Sequence, residues 1–119
     1  MIKTLSIEKS NDLIGLGIDP KNASQAEVSI TENEHRAEMF TDSDLIRLLP
    51  KWIKHRNMLL WLHIYVDEHT DEWCVEYKCG EYGVDEAENC QSSKELVNCL
   101  YEMLRYLINN NYMRIERGG

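Results

Sequence analysis

Two runs of alternating apolar and polar residues, separated by a short polar segment, constrain the fold of this chain more than any other feature. Residues 59–66 and residues 73–79 both place an apolar side chain at every second position, which is the period of a β-strand with one buried face. Residues 68–72 between them contain no large apolar side chain. The pattern therefore predicts a β-hairpin.

The alternation also limits how the two strands pair. A four-residue loop at residues 69–72 would pair Val66 with Val75 and Ile64 with Tyr77, which gathers the apolar residues on one face of the hairpin. A slip of one residue would place apolar side chains opposite charged ones, so we reject that register.

Residues 42–56 have the period of a helix. Thr41 and Ser43 are candidate N-caps, and Pro50 should kink the helix or divide it, because proline removes one backbone hydrogen bond. The apolar stripe consists of Leu45, Leu48, Leu49, Trp52 and Ile53.

A second helix is predicted over residues 93–110. Ser92 or Ser93 would cap its start, and the asparagines at 109–111 are typical of a helix end. Its buried stripe consists of Leu96, Leu100, Met103, Leu104 and Leu107.

The remaining patterns complete the fold class. Residues 26–40 alternate like another hairpin, residues 2–7 suggest an edge strand, and residues 84–90 suggest a further short strand. Short connections favour antiparallel pairing. We predict an α+β fold, in which two main amphipathic helices, at about 42–56 and 93–110, pack on a mostly antiparallel sheet of four to six strands.

From Phe40 onward the order of elements resembles that of the small phage proteins called phage ABA-sandwich domains. Residues 40–44, Phe-Thr-Asp-Ser-Asp, look like their entry to the first helix, and the strands that carry Trp61 and Trp73 look like their aromatic hairpin. Residues 93–107, with the step Val-Asn-Cys-Leu at 97–100, are similar to their last helix. The resemblance covers residues 40–110 and implies a sheet packed between helices, a phage accessory protein and no catalytic residue.

Charge and length limit the class of protein. A net charge of −8 disfavours direct binding to nucleic acid or to anionic membranes, because phosphate binding needs clustered Lys and Arg, whereas a basic protein partner is compatible with it. The 119 residues fit one domain, 1–119, with a frayed tail at 114–119. We see neither a signal peptide nor a membrane-spanning run. We therefore expect a cytoplasmic protein whose cysteines are thiols.

The sequence contains no pattern typical of a catalytic or metal site. A nucleophilic cysteine needs a base and a positive field, but the strand cysteines lie among carboxylates, which raise a thiol pKa. No glycine pattern forms a phosphate-binding loop. The candidate metal ligands His63, His69, Cys74, Cys79, Cys90 and Cys99 lack the close spacing of structural zinc sites. We therefore predict no catalytic residue, no metal and no cofactor.

The charges are segregated along the chain. Residues 67–88 carry nine acids and one base, Lys78, whereas residues 45–57 carry four bases and no acid. Such an acidic run is either a solvated hairpin tip or a surface that pairs with the Arg and Lys of a partner. The predicted partner-binding residues are Asp67, Glu68, Asp71, Glu72, Trp73, Glu76, Glu81, Tyr82, Asp85, Glu86 and Glu88.

Our leading hypothesis is a small non-enzymatic inhibitor, of the phage anti-defence or toxin-immunity type, that blocks a basic surface of a nuclease or nucleic-acid-binding protein. One alternative is a protein that binds or sequesters nucleotides, with Arg36, Arg47 or Arg56 meeting phosphate. Another is a phage accessory or assembly protein, which would form a homo-oligomer and expose an apolar patch.

Overall fold

The structure is a computed structural model that describes residues 4–28, 36–55, 57–78 and 90–113. Its helices are α1 (Ile7–Gly15), α2 (Asp42–Leu48) and α3 (Leu96–Asn109), with a 3₁₀ turn at Pro20–Asn22. Its strands are β1 (Gln25–Val28), β2 (Arg36–Met39), β3 (Trp52–His55), β4 (Met58–Val66), β5 (Trp73–Lys78) and β6 (Cys90–Ser93).

The strands form two antiparallel sheets. Strands β1 and β2 pair as one hairpin, and β3, β4, β5 and β6 form a four-stranded meander in sequence order. The predicted α+β class with a mostly antiparallel sheet is confirmed, and so is the hairpin predicted within 26–40. The strand predicted near 84–90 lies mostly outside the described residues, and β6 begins at Cys90.

Over its described residues, 4–7, the predicted edge strand at 2–7 is not formed. Thr4 makes a single bridge with Thr41, and helix α1 starts at Ile7. Ser6 caps this helix, because its hydroxyl accepts a hydrogen bond from the Lys9 backbone N–H at 3.2 Å. An N-cap serine satisfies one of the donors that a helix start leaves unpaired.

Helix α2 is shorter than the predicted helix over 42–56. The start agrees with the prediction, since Thr41 Oγ1 accepts from the Asp44 N–H at 3.2 Å and Asp44 Oδ2 accepts from the Thr41 N–H at 2.9 Å. The helix ends at Leu48, however, and Leu49 is extended with ψ 131°. A residue that precedes proline avoids the helical region, so Pro50 ends the helix rather than kinking it.

The segment after Pro50 is a strand, which is the second part of the same correction. Trp52 is 49% exposed and Ile53 is 3% exposed, as alternation in a strand requires. Pairing with β4, through register partners such as Ile53 and Leu60, supplies the backbone hydrogen bonds that a helix would have supplied.

The hairpin β4–β5 has the predicted faces but not the predicted register. Val66 lies opposite Trp73 and Ile64 opposite Val75, two residues away from the expected pairing. A shift of two residues keeps each side chain on its face, so the apolar pattern alone does not distinguish the two registers.

Helix α3 packs on one face of the four-stranded sheet. We call this the inner face; it carries Leu60, Val75 and Tyr77, and the opposite face is the outer face. The predicted helix stripe is confirmed, and α3 ends at Asn109. Its predicted cap is wrong, because Ser92 and Ser93 belong to β6 and Glu95 is the N-cap residue. The largest fully buried side chains are Leu5, Leu13, Phe40, Leu45, Leu60, Val75, Tyr77, Leu100, Met103, Leu104 and Leu107.

Candidate partner-binding surface

The loop between β4 and β5, residues 67–72, concentrates negative charge at the end of the sheet, and we call it the acidic turn. The Asp67 N–H donates to the Glu72 carbonyl at 2.9 Å, and the Asp71 N–H donates to the Asp67 carbonyl at 2.8 Å. Asp67 Oδ1 accepts from the His69 N–H at 2.8 Å. Asp71 has φ 57°, a region that aspartate tolerates better than most residues. These bonds close the loop one residue earlier than predicted, which shifts the pairing of the two strands by two residues.

The carboxylates of the acidic turn are available to a partner. Glu68 and Asp71 are exposed, and Asp67 and Glu72 are half-buried. Within the described part of the chain, no Lys or Arg forms an ion pair with any of the four. Four carboxylates within six residues attract a basic surface and raise the rate of encounter with it.

Two of the predicted partner-binding residues have other contacts. Trp73 is half-buried and packs against the core from the inner face. Glu76 lies on the outer face, where its Oε1 is 3.3 Å from Lys78 Nζ. Neither adds to the charge or the exposed aromatic surface of the acidic turn. The remaining predicted residues, Glu81, Tyr82, Asp85, Glu86 and Glu88, lie outside the described residues.

The outer face carries a group of exposed apolar side chains that the sequence analysis did not identify, and we call it the apolar patch. Trp52 and Trp61 are each 49% exposed, Leu59 is 45% exposed and Tyr65 is 39% exposed. Trp52 and Trp61 are register partners. The Leu62 N–H donates to the Lys51 carbonyl at 3.0 Å, so the tryptophans occupy a non-hydrogen-bonded position, where Cα atoms lie about 4.5 Å apart.

The signal for the apolar patch was present in the sequence. Trp61 and Tyr65 alternate with the buried residues of β4, so they had to lie on the opposite face. The assignment of Trp52 to a helix removed its neighbour from the sheet. Tryptophan and tyrosine are enriched among the residues that dominate binding energy at interfaces, so the patch adds aromatic anchors beside the acidic turn.

On the outer face, the side chains of Glu76 and Lys78 on β5 lie between the apolar patch and β6. Tyr65 lies opposite Cys74 and close to Glu76, and Lys78 Nζ lies 5.4 Å from the centroid of the Tyr65 ring. Burial is the main cause that raises the pKa of Tyr65 above its usual range, and the nearby Glu76 carboxylate acts in the same direction. The Tyr65 hydroxyl therefore stays protonated at neutral pH.

The three described cysteines are protonated thiols at neutral pH. Burial is the main cause that raises the pKa of Cys90 and of Cys99 to about 11, and it also raises the pKa of Cys74. Nearby carboxylates act in the same direction. A thiol, unlike a thiolate, is a poor nucleophile and a poor metal ligand. Among the described residues, no three His, Cys, Asp or Glu side chains lie close enough together to hold a metal ion.

A shallow cleft runs along the open edge of β3. Its volume is about 580 Å³, and Lys51, Trp52, Lys54 and Tyr112 line it together with Pro50, Ile53 and Asn111. This size falls within the range of small-molecule sites. Of the arginines proposed for a nucleotide, Arg47 does not line this cleft, since its Nη2 pairs with Asp44 Oδ1 at 2.6 Å. The side chains of Arg36 and Arg56 lie outside the described residues.

Comparison with known proteins identifies no relative of this chain: no protein family, no curated protein and no solved structure matches it. The resemblance to phage ABA-sandwich domains therefore stays a prediction. No helix in the described ranges has both the length and the apolar character that crossing a bilayer requires.

Proposed function

We propose that this chain is a small non-enzymatic binding protein, an antagonist that covers a basic surface of a nuclease or another nucleic-acid-binding protein. The observation that carries the proposal is the acidic turn, whose four carboxylates have no cationic partner among the described residues. Such a partner would be basic, because it binds phosphate for its own function.

The position of the acidic turn supports this proposal. It lies at the end of β4, and Tyr65, the last aromatic residue of the apolar patch, is two residues before it. Charged groups at the rim of an interface steer the encounter, whereas aromatic side chains supply most of the binding energy. An antagonist needs both, since it has to compete with the nucleic acid for the same surface. Phage anti-defence proteins and toxin-immunity proteins, both acting in the cytoplasm, are the two classes that this mechanism would serve.

The test begins with capture of partners from a bacterial lysate on the immobilised chain and continues with a binding titration of the purified partner. We expect a basic nucleic-acid-binding protein whose affinity falls at least about tenfold between about 50 and 300 mM salt, because surface charge pairs are screened. The variant Glu68→Lys/Glu72→Lys should weaken binding by a similar factor.

The matched control is Glu8→Lys/Glu102→Lys, which makes the same change in net charge at two exposed positions on α1 and α3. It should leave binding within about twofold of the parent, because the two positions lie outside the acidic turn and surface pairs act at short range. Equal affinities for the two double variants would refute the electrostatic mechanism, and so would a partner that still binds its nucleic acid in the complex.

A nucleotide-binding protein is a second candidate, and the cleft along β3 favours it. Two lysines, Lys51 and Lys54, could meet phosphates there while Trp52 or Tyr112 stacks on a base. A thermal-shift screen against nucleoside mono-, di- and triphosphates tests it. A nucleotide present at 100 times its dissociation constant stabilises by about 2.7 kcal/mol, so the absence of any shift at millimolar concentrations would reject this candidate.

A further inference from the structure

The apolar patch lies on a sheet face that is open to solvent. Helix α3 packs on the inner face at β5 and β6, whereas Trp52, Leu59 and Trp61 on the outer face remain 45–49% exposed. Trp52 lies opposite Trp61, and Leu59 is two residues before Trp61 on β4. The three apolar side chains are therefore contiguous on the outer face. Large contiguous apolar areas on soluble proteins are usually contact sites.

Charges of opposite sign lie at the two ends of this face. Lys54 lies at the level of Leu59, where the face begins, and the acidic turn follows Val66, where it ends. Eight residues separate Leu59 from Asp67, which is about 27 Å along a strand. Lys78, in the middle, is compensated by Glu76. The face therefore runs from basic through apolar to acidic.

A surface with this order of charges is complementary to itself. A two-fold axis that crosses the strands at the level of His63 reverses the strand direction of the second copy. Lys54 of one copy then lies at the acidic turn of the other, and Trp61 lies on Tyr65, because these two residues are equally far from His63. Such a contact is isologous, so every pairing occurs twice.

We infer that the outer face binds a second copy of this chain, in a two-fold dimer that packs sheet on sheet with the strands of the two copies running in opposite directions. Trp52, Leu59, Trp61 and Tyr65 supply the apolar contacts on either side of the axis, His63 and Glu76 lie at the level of the axis, and Lys54 pairs with the acidic turn of the second copy at each end. Packed sheets lie about 10 Å apart with their strands within about 30° of each other, a spacing that aromatic side chains fill.

A second copy fits this face better than the other classes of partner. A nucleic acid would be repelled by the acidic turn, whereas a basic protein, as in the proposed function, would be attracted to the acidic turn but repelled by Lys54 at the other end of the face. The 23 residues of β3, β4, β5 and β6, at about 3.4 Å per residue and about 4.8 Å between strands, cover roughly 380 Å² in projection, which places the contact at the small end of specific interfaces. The net charge of −8 per chain opposes association. We therefore expect a reversible dimer with a dissociation constant in the micromolar range.

Sedimentation velocity of the purified chain from about 5 to about 500 µM tests the inference, because this range brackets a micromolar dissociation constant. The mass should rise from 14.0 kDa towards twice that value. Trp61→Glu, or Trp52→Glu if the first variant does not fold, should weaken the dimer at least about tenfold. Ile46→Glu is the matched control: Ile46 is an exposed apolar residue on α2, and this variant should dimerise like the parent.

A charge exchange tests the orientation of the two copies. Lys54→Glu and Glu68→Lys should each weaken the dimer by about threefold to tenfold, because each change affects two pairs. The combined variant should regain most of the loss. Glu68→Lys is the sharper variant, because it also lowers the net negative charge of the chain. If only general repulsion between the copies mattered, it would tighten the dimer, as we expect for the control Glu102→Lys.

Several results would overturn the inference. A mass of 14.0 kDa at every concentration, or a dimer that Trp61→Glu and Trp52→Glu leave intact, excludes this face as the interface. A dimer that is sensitive to tryptophan but not restored by the charge exchange excludes the antiparallel arrangement. All of these measurements use the chain alone, so they test the dimer without the partner of the proposed function. Because the dimer covers the acidic turn and the apolar patch, that partner would bind the monomer and compete with the dimer.

Discussion

Asp44 is the residue at which the effect of a substitution is best defined by the structure. Its side chain is fully buried, and Oδ2 accepts hydrogen bonds from the Ser24 N–H at 2.9 Å, the Ser24 hydroxyl at 2.8 Å and the Thr41 N–H at 2.9 Å. Arg47 donates to Oδ1 at 2.6 Å. The carboxylate thus joins the start of α2 to the segment before β1. We expect Asp44→Asn, which keeps the shape but removes the charge, to destabilise the fold strongly.

The size of the effect follows from the pKa of Asp44. Burial alone would raise it, but the hydrogen bonds from Thr41 and Ser24 outweigh burial and lower the pKa from 3.8 to about 2. Since one pKa unit corresponds to about 1.4 kcal/mol, the ionised form stabilises the folded state by roughly 2–3 kcal/mol. We expect Asp44→Asn to lower the free energy of unfolding at pH 7 by at least this amount, because the amide N–H₂ also faces donors.

The pH dependence gives the sharper test. The pKa is lowered in the folded state, so the stabilisation is complete above the unfolded pKa of about 3.9 and is lost as the pH falls from about 5 to about 2. Urea denaturation followed by tryptophan fluorescence should therefore show a difference between parent and variant that shrinks to roughly half at pH 3. Asp42→Asn, in the same helical turn but only half-buried, should cost less than about 1 kcal/mol. If the free energies of unfolding of the parent and Asp44→Asn differ by the same amount at pH 7 and pH 3, the reasoning is refuted.

Three further substitutions or reactions test other parts of the structure. Leu60→Ala, at a position with 0% exposure, should lower the free energy of unfolding by about 3 kcal/mol, and Leu59→Ala, at 45% exposure, by less than about 1 kcal/mol; similar losses in urea denaturation would contradict the assignment of the two faces. Tyr77→Phe removes the hydroxyl that donates to the Pro50 carbonyl at 2.7 Å and should cost about 1 kcal/mol, measured in the same way, whereas no change would mean that the bond is absent in solution. Cys90 and Cys99, whose pKa values are raised to about 11, should react with iodoacetamide at pH 8 about 100-fold more slowly in the folded chain than in urea, and equal rates would contradict their protonated state.

The sequence predicts the elements that a single pattern defines. The stripe from Leu96 to Leu107 identifies α3, and the alternation in β4 and β5 identifies both strands and their inner face. These patterns are unambiguous because each is long enough to exclude the other period.

Prediction from the sequence is wrong where a helical and a strand pattern overlap, and where the structure depends on the local backbone geometry of a turn. Trp52 and Ile53 continue the helical stripe of α2 and also begin an alternating strand, and only the backbone restriction that Pro50 places on Leu49 decides between them. The hairpin register depends on the positive φ of Asp71 and on the backbone bonds of the acidic turn, which apolar spacing does not encode.

The same error concealed part of the candidate site. With Trp52 assigned to a helix, Trp61 had no aromatic neighbour across the sheet, so the outer face looked like an ordinary solvated surface. The acidic turn itself was predictable, because it depends on composition and on the positions of the two strands. The separate contacts of Trp73 and Glu76 were not, since both depend on which strand face each side chain occupies.

The interleaving of the two faces in β4 has a consequence for how such a protein can change. Leu60 is enclosed by the core, whereas its neighbours Leu59 and Trp61 contact solvent, so substitutions at the outer positions change the exposed surface with little effect on whether the molecule folds. A single nine-residue strand thus holds two independently variable sets of residues. A lineage carrying this fold could remodel its outer surface through changes of one residue at a time, each tolerated before the next arises.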